Sequence, residues 1–214
     1  IINSENPEIL IAGCGTGQHA ITTASKYKKS KVLALDLSFR SLSYAKRKAN
    51  ELNINNIDFI QGNILDLESI DRKFDIIESV GVLHHMDNPF KGWKILTSCL
   101  NNDSLMLIGL YSELARQHIK EIKNKINKLK LQSNYKNIIK FRKDLIDSNN
   151  DQWSLIKSSP DFYTISGVRD LIFHAQEHRF TISKIKEHLD KLGLIFLGFE
   201  DQLVKENFRD NYNN

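Results

Sequence analysis

The 214-residue sequence predicts an α/β protein, a doubly wound parallel sheet with a helical insertion between its fifth and sixth strands. Three observations carry that expectation. Apolar, strand-length runs alternate with helix-length amphipathic segments from residue 8 to 112, the pattern of a sheet covered on both faces. The first run, Ile9-Leu10-Ile11-Ala12, leads straight into Gly13-Cys14-Gly15-Thr16-Gly17. Alternating glycines of this kind let a chain turn sharply or let a ligand touch backbone. Beyond Tyr111 the alternation stops, and residues 113–190 offer helical periodicity without a convincing strand.

Each element follows in order. The glycine turn belongs at the carboxyl end of the first strand, where open α/β sheets hold nucleotides. Gln18 to Tyr27 reads as the first helix and Lys31 to Leu35 as the second strand. Asp36 closes that strand about twenty residues beyond the glycines, the offset of a ribose-binding carboxylate that can accept from both hydroxyls. A residue placed only to suit a helix N-terminus is the competing reading of Asp36. Ser38 is positioned to cap a second helix over Phe39 to Leu52. Ile57 to Ile60 forms the third strand and runs to Gln61-Gly62-Asn63-Ile64. Phe74 to Val80 is the fourth, followed by a short turn through His84, His85 and Met86. Pro89 opens a helix to about Leu100, with Trp93 and Leu96 on its apolar side. Asp103 to Ser112 is a turn and then the fifth strand.

These segments, in this order, resemble the class I S-adenosylmethionine-dependent methyltransferases. The G-x-G-x-G of Gly13 to Gly17 is similar to their motif I, whereas a dinucleotide fingerprint needs a glycine where Gln18 stands. Val82-Leu83-His84-His85 matches a frequent ending of their fourth strand. The resemblance implies a Rossmann-like methyltransferase sheet with S-adenosylmethionine as cofactor. It places cofactor contacts at Ala12, Gly13, Cys14, Gly15, Gly17, Asp36, Leu37, Asn63, Ile64, Ser79 and Val80. Two departures stand out. Members often carry an acid two residues before the first glycine, helping to fix the methionine end, and here that residue is Ile11. The acid that usually accepts from the adenine amino group is Asn63, whose amide oxygen accepts more weakly; a turn role after Gly62 competes with it. Val82 to Pro89, Leu107 to Arg116 and Arg169 to Phe180 are closer still to a bacterial subgroup in which such a domain follows tetratricopeptide repeats.

Methyl transfer from a sulfonium is an in-line displacement, so positioning dominates and a base is needed only where the acceptor carries a proton. The candidates for catalysis are His84, His85 and Tyr111, with one histidine functional and the other packed under the turn; the sequence does not say which. Residues 1–112 and 181–214 are expected to form the cofactor-binding domain, truncated at both ends, and 113–180 a substrate lid. Within the lid, Ile119, Ile122, Ile126 and Leu129 define a long amphipathic helix. A weaker one spans Ser133 to Asn150, and Ser158-Ser159-Pro160-Asp161 is a break. A further helix from about Gly167 to Arg179 would carry Arg169, His174, Glu177 and His178, either lining a polar substrate cleft, with Arg169, His174 and His178 as substrate contacts, or tying the lid to the core by hydrogen bonds. His174-Ala175-Gln176-Glu177-His178 matches the inverted zinc-protease pattern H-x-x-E-H, but a lone motif is weak, and no metal is expected. Thr181 to Leu192 is the last helix, stopped by Gly193, and Leu194 to Glu200 reads as the sixth strand.

Composition narrows the alternatives. Charged residues are 26% and apolar residues 41%, ordinary for a globular domain, and no run approaches a membrane span or a signal peptide. Cys14 and Cys99 show no pairing or metal spacing, which points to a reduced, cytoplasmic setting. Residues 113–150 hold ten Lys or Arg against four Asp or Glu, by default a solvated helix face. An RNA or DNA methyltransferase would use the basic insertion helix, but Ile119 to Leu129 carries no interleaved aromatics for base stacking, so nucleic acid is not the expected partner. A non-catalytic cofactor-binding module is the other alternative, given Ile11 and Asn63. The methyl acceptor, a small molecule or a protein, is not named by the sequence. The chain reads as a fragment, with an N-terminal repeat domain expected beyond it.

Overall fold

The computed structural model describes residues 4–148, 153–174 and 176–201. Five strands, β1 (Glu8–Ala12), β2 (Lys31–Asp36), β3 (Ile57–Gln61), β4 (Phe74–Val80) and β5 (Leu100–Gly109), form one sheet in the order β3-β2-β1-β4-β5. Every pairing is parallel. The order reverses between β1 and β4, so the chain leaves these two neighbours in opposite directions and opens a crevice at their carboxyl ends.

Strand alternation sorts the side chains. Ile9, Ile11, Val32, Ala34 and Ile76 pack with Ala20 and Ala24 of α1 (Gln18–Lys26) and Leu42 of α2 (Phe39–Glu51) in one core. Leu10, Leu35 and Ile77 point to the other face. Ser38 caps α2 as expected, its hydroxyl accepting the Ser41 N–H at 3.2 Å. α3 (Pro89–Ser98) begins at its proline under an Asn88 cap and buries Trp93, Ile95 and Leu96. No helix among the described residues is long and apolar enough to cross a membrane.

Between β5 and Phe180 the described residues include four helices, α4 (Gln117–Lys128), α5 (Tyr135–Asp147), the short α6 (Ser154–Lys157) and α7 (Ile165–Ile172), and no strand. These helices have a core of their own, which includes Ile119, Ile122, Phe141, Trp153, Ile156, Phe162 and Leu171. Leu129, assigned to the apolar stripe by its spacing, is 55% exposed because α4 ends one residue before it. Two expectations are corrected here. The helix expected over Gly167 to Arg179 starts at Ile165 and stops at Ile172, so His174 and His178 share no helix face. The buried apolar residues of this helix end with Leu171 and Ile172, and two N–H groups of the chain beyond reach distant carbonyls. The His178 N–H donates to His84 O at 2.7 Å and the Phe180 N–H to Tyr111 O at 2.8 Å.

The chain divides after Phe180, so the segment from Thr181, which the sequence joins to the sheet, is described by itself. It holds α8 (Ile182–Leu192), capped by Thr181 and stopped at Gly193 in the left-handed conformation. The strand expected at Leu194–Glu200 is not formed. The described part of this segment supplies only a helix, which offers no strand edge for its backbone to pair with.

Candidate functional site

The glycine turn is shaped by the atoms around it. The Gly13 and Cys14 N–H groups both donate to Leu35 O, at 2.8 and 2.9 Å, which folds the turn over the end of β2. Gly13 has φ +84°, and a Cβ there would lie 2.3 Å from Val82 Cγ2. Gly17 has φ +85°, and its Cβ would meet Ala45 of α2 at 2.5 Å, so this glycine serves helix packing. Asp36 binds the turn to its own strand end: Oδ2 accepts the Gly15 N–H at 2.7 Å and Oδ1 the Ser38 N–H at 2.8 Å. Both oxygens keep a lone pair for a further donor.

Above the turn lies a cleft of about 910 Å³. Its walls include Gly13, Cys14, Gly15, Asp36 and Val80 from the expected cofactor set, His85 and Tyr111 from the catalytic set, and His174 from the insertion. A slot of about 110 Å³ beside it is lined by Leu37, Asn63, Ile64, Gly62 and Met86, and shares Gly13, Asp36 and Val82 with the cleft. The other expected residues lie elsewhere. Ala12 and Ser79 are fully buried, and the Ser79 hydroxyl donates to Ala12 O at 3.0 Å, holding β4 to β1 beneath the turn. Arg169 is exposed and His178 half-buried, and neither lines the cleft. Asn63 has the turn role that competed for it: its side-chain oxygen accepts the Leu65 N–H at 3.0 Å, capping a 3-10 helix over Ile64–Ser69. Burial pushes the Cys14 thiol up to about 12, so it is an inert wall group.

The structure separates the two histidines. His85 lines the cleft, and its Nδ1 lies 3.0 Å from Gln176 O. A carbonyl only accepts, so Nδ1 carries the proton and Nε2 is the basic nitrogen. Burial lowers the His85 pKa, opposed by the Gln176 carbonyl, so the ring is a neutral base at pH 7. His174 stacks on it with ring centroids 3.7 Å apart, its Nδ1 2.7 Å from the same carbonyl. That nitrogen also faces the Gln176 N–H, which donates to it at 3.3 Å.

His84 is fully buried beneath Tyr111, ring centroids 3.6 Å apart, and burial drops its pKa to about 3. Neither ring nitrogen has a hydrogen-bond partner among the described residues. A buried polar atom left unpaired costs about 1–3 kcal/mol. Replacing His84 by Phe, which keeps the stacked ring, is therefore expected to raise stability by roughly 1–3 kcal/mol in denaturant melts. The pH dependence has a definite sign. A folded-state pKa of about 3 against an ordinary 6.5 gives stability that is complete above 6.5 and falls as pH drops below it. The slope is up to about 1.4 kcal/mol per pH unit, and H84F removes that contribution. A lower melting point for H84F would show that the imidazole nitrogens are satisfied.

Tyr111, two residues past β5, is clamped on its other side by the Arg116 guanidinium, 3.6 Å from the ring centre. Arg116 reaches on to Glu177 with two parallel bonds of 2.9 Å, and Lys123 adds a third at 2.9 Å. Burial alone would raise the Glu177 pKa, but the Arg116 and then the Lys123 bonds bring it down to about 2. The strap carrying His174, Gln176 and Glu177 is thus pinned to the turn after β4, to the residues after β5 and to α4. Of the residues the sequence proposes for catalysis or substrate, His85, Tyr111 and His174 line this cleft; His19, Thr22 and Asp170, which belong to no motif, line it as well.

A family model described as a methyltransferase domain matches residues 3–159. An uncharacterized protein of Synechococcus is 27% identical over 209 residues, covering 92% of this chain and 49% of its own length. The (S)-tetrahydroprotoberberine N-methyltransferase of Eschscholzia californica is 29% identical over 110 residues, 51% of this chain and 31% of that protein. The chain spans about half or less of these relatives' length. PKMT2 from Rickettsia typhi superposes with a TM-score of 0.70 at 21% identity, over 96% of this chain and 43% of that one, a likeness of fold.

Proposed function

Because the chain belongs to the methyltransferase-domain family, with S-adenosylmethionine as its cofactor, we propose that it methylates an acceptor that carries a proton at the atom attacked, and that His85 takes that proton. One observation supports this most. The glycine turn, fixed to Asp36, floors a cleft whose opposite wall presents a neutral imidazole with one nitrogen held and the other basic.

The residues present fit the cofactor. The close approach at Gly13 fills the space a side chain would occupy, and Asp36 keeps lone pairs for ribose hydroxyls. The slot lined by Leu37, Ile64 and Met86 suits the adenine, with the second lone pair of the Asn63 oxygen as its polar contact. When bound, S-adenosylmethionine supplies a methyl on a sulfonium, an electrophile that needs no activation from the protein. The chain's part is to hold an acceptor in line and to receive its proton. In this reading Tyr111 and His174 orient the acceptor, and residues 113–180 serve as the lid that carries His174. Arg169 and His178 act outside the cleft, His178 by holding the strap to His84 O.

The acceptor class that fits is a neutral amine, hydroxyl or thiol group with a planar body that can lie against the His85–His174 stack. The likeness to an N-methyltransferase over half the chain favours the amine. A cytoplasmic setting and a repeat domain joined to this chain belong to the same proposal. The repeat domain rests on the stretches 82–89, 107–116 and 169–180 alone. The test is transfer of label from methyl-labelled S-adenosylmethionine to fractionated small molecules and proteins of a cell extract. Label in an amine-bearing fraction is expected. Cofactor binding with no label in any fraction would favour a non-catalytic module, and label in RNA or DNA would favour the basic α4 face.

A further inference from the structure

A carboxylate lies under the cleft that neither the turn nor the base uses. Glu78, on β4, is in register with Ile11 of β1, and residues paired across parallel strands point to the same face. Glu78 is therefore aimed at α1, and it is 8% exposed. Its Oε2 accepts the Thr23 hydroxyl at 2.9 Å and lies 2.8 Å from Nε2 of His19. His19, on the first turn of α1, lines the cleft, with its side chain 43% exposed. Ile11, the strand residue beside Glu78, brings no polar side-chain atom to this end of the cleft.

The methionine end of S-adenosylmethionine is a zwitterion, and its ammonium needs an acceptor. With the ribose on Asp36 and the methyl facing His85, that end falls along the α1 side of the cleft. Among the described residues the charged or titratable groups lining the cleft are Cys14, Asp36, His85, Tyr111, Asp170, His174 and His19, and of these His19 is the one on α1. We infer that His19, oriented by Glu78, is the group that holds the ammonium of S-adenosylmethionine. The carboxylate takes the Nε2–H, which leaves Nδ1 as the acceptor of this half-exposed ring. Glu78 fixes the ring's orientation, as buried carboxylates do for metal-bound histidines. Glu78 is a positioning residue and His19 the contact.

This inference rests on the reading of the cleft as the cofactor site, and its test separates the two. Affinities for S-adenosylhomocysteine and 5′-methylthioadenosine, which lacks the amino-acid end, are measured by calorimetry on the wild-type chain, H19A and E78Q. H19A is expected to weaken S-adenosylhomocysteine about tenfold and leave 5′-methylthioadenosine within about twofold. E78Q is expected to show the same split at smaller size, because an amide orients the ring without the charge. Binding of 5′-methylthioadenosine also reports that each variant is folded. Equal loss for both ligands would make the pair structural and overturn the inference, as would unchanged S-adenosylhomocysteine affinity. A wild-type chain that binds neither ligand would overturn the cofactor reading itself, and this inference with it.

Discussion

Replacing His85 by Gln is expected to lower the rate of methyl transfer by about 10²–10⁴-fold with little change in cofactor affinity. Gln keeps a donor that can reach the Gln176 carbonyl, so the strap stays in place while the basic nitrogen is lost. The pH profile makes the result specific. Burial lowers the His85 pKa, so the acidic limb of kcat/KM in the wild type should fall below 6.5, and the residual rate of H85Q should lack that limb. A variant with a normal rate, or one that keeps the limb, would remove His85 from the chemistry. An acceptor without a transferable proton would then be indicated.

The largest effect on stability is expected at Glu177. Its side chain is 4% exposed and neutralises two cations that are themselves 12% and 19% exposed, Arg116 and Lys123. Glu177→Ala leaves both in place without a counter-charge, an arrangement that typically costs about 3–5 kcal/mol. E177Q keeps acceptor and shape and should lose less. Since Arg116 also packs on Tyr111, both variants should loosen the cleft wall and raise the KM for acceptor. The pH dependence is opposite in origin to a salt-bridged histidine. The folded pKa of about 2 lies below the ordinary 4.5, so this stability is present above 4.5 and is lost as pH falls toward 2. E177A should show no such loss in that window. A melt of E177A within about 0.5 kcal/mol of wild type, the usual range for surface changes, would mean the latch carries no weight.

The order of the first five strands was legible because each is an apolar run ended by glycine, aspartate or a polar turn. Local rules placed Ser38, Pro89 and Gly193 for the same reason: capping chemistry is decided within a few residues. What the residues could not reveal depends on register and on distant partners. The pairing of Ile11 with Glu78 is a property of two strands far apart in sequence, so the carboxylate beneath the cleft had no local signature. The strap after Ile172 carries a helical spacing of histidines, but its backbone bonds to His84 O and Tyr111 O prevail over local propensity. Asn63 shows both halves of the problem. Its position after Gly62 suits two roles, and the cap on Leu65 is present whether or not adenine uses the remaining lone pair. Leu194 to Glu200 has the composition of a strand, and composition says nothing about whether a partner edge is at hand.

The central claim, that S-adenosylmethionine sits over the glycine turn with its ribose on Asp36, is tested most directly by calorimetric titration of the wild-type chain and Asp36→Ala with S-adenosylhomocysteine. Asp36 already steadies Gly15 and Ser38, so its loss removes the ribose acceptor and loosens the turn together. The account predicts one site in the wild type and a loss of about 2 kcal/mol of affinity, roughly thirtyfold, in D36A. Equal affinity in the two proteins, or no heat with the wild type, would contradict it.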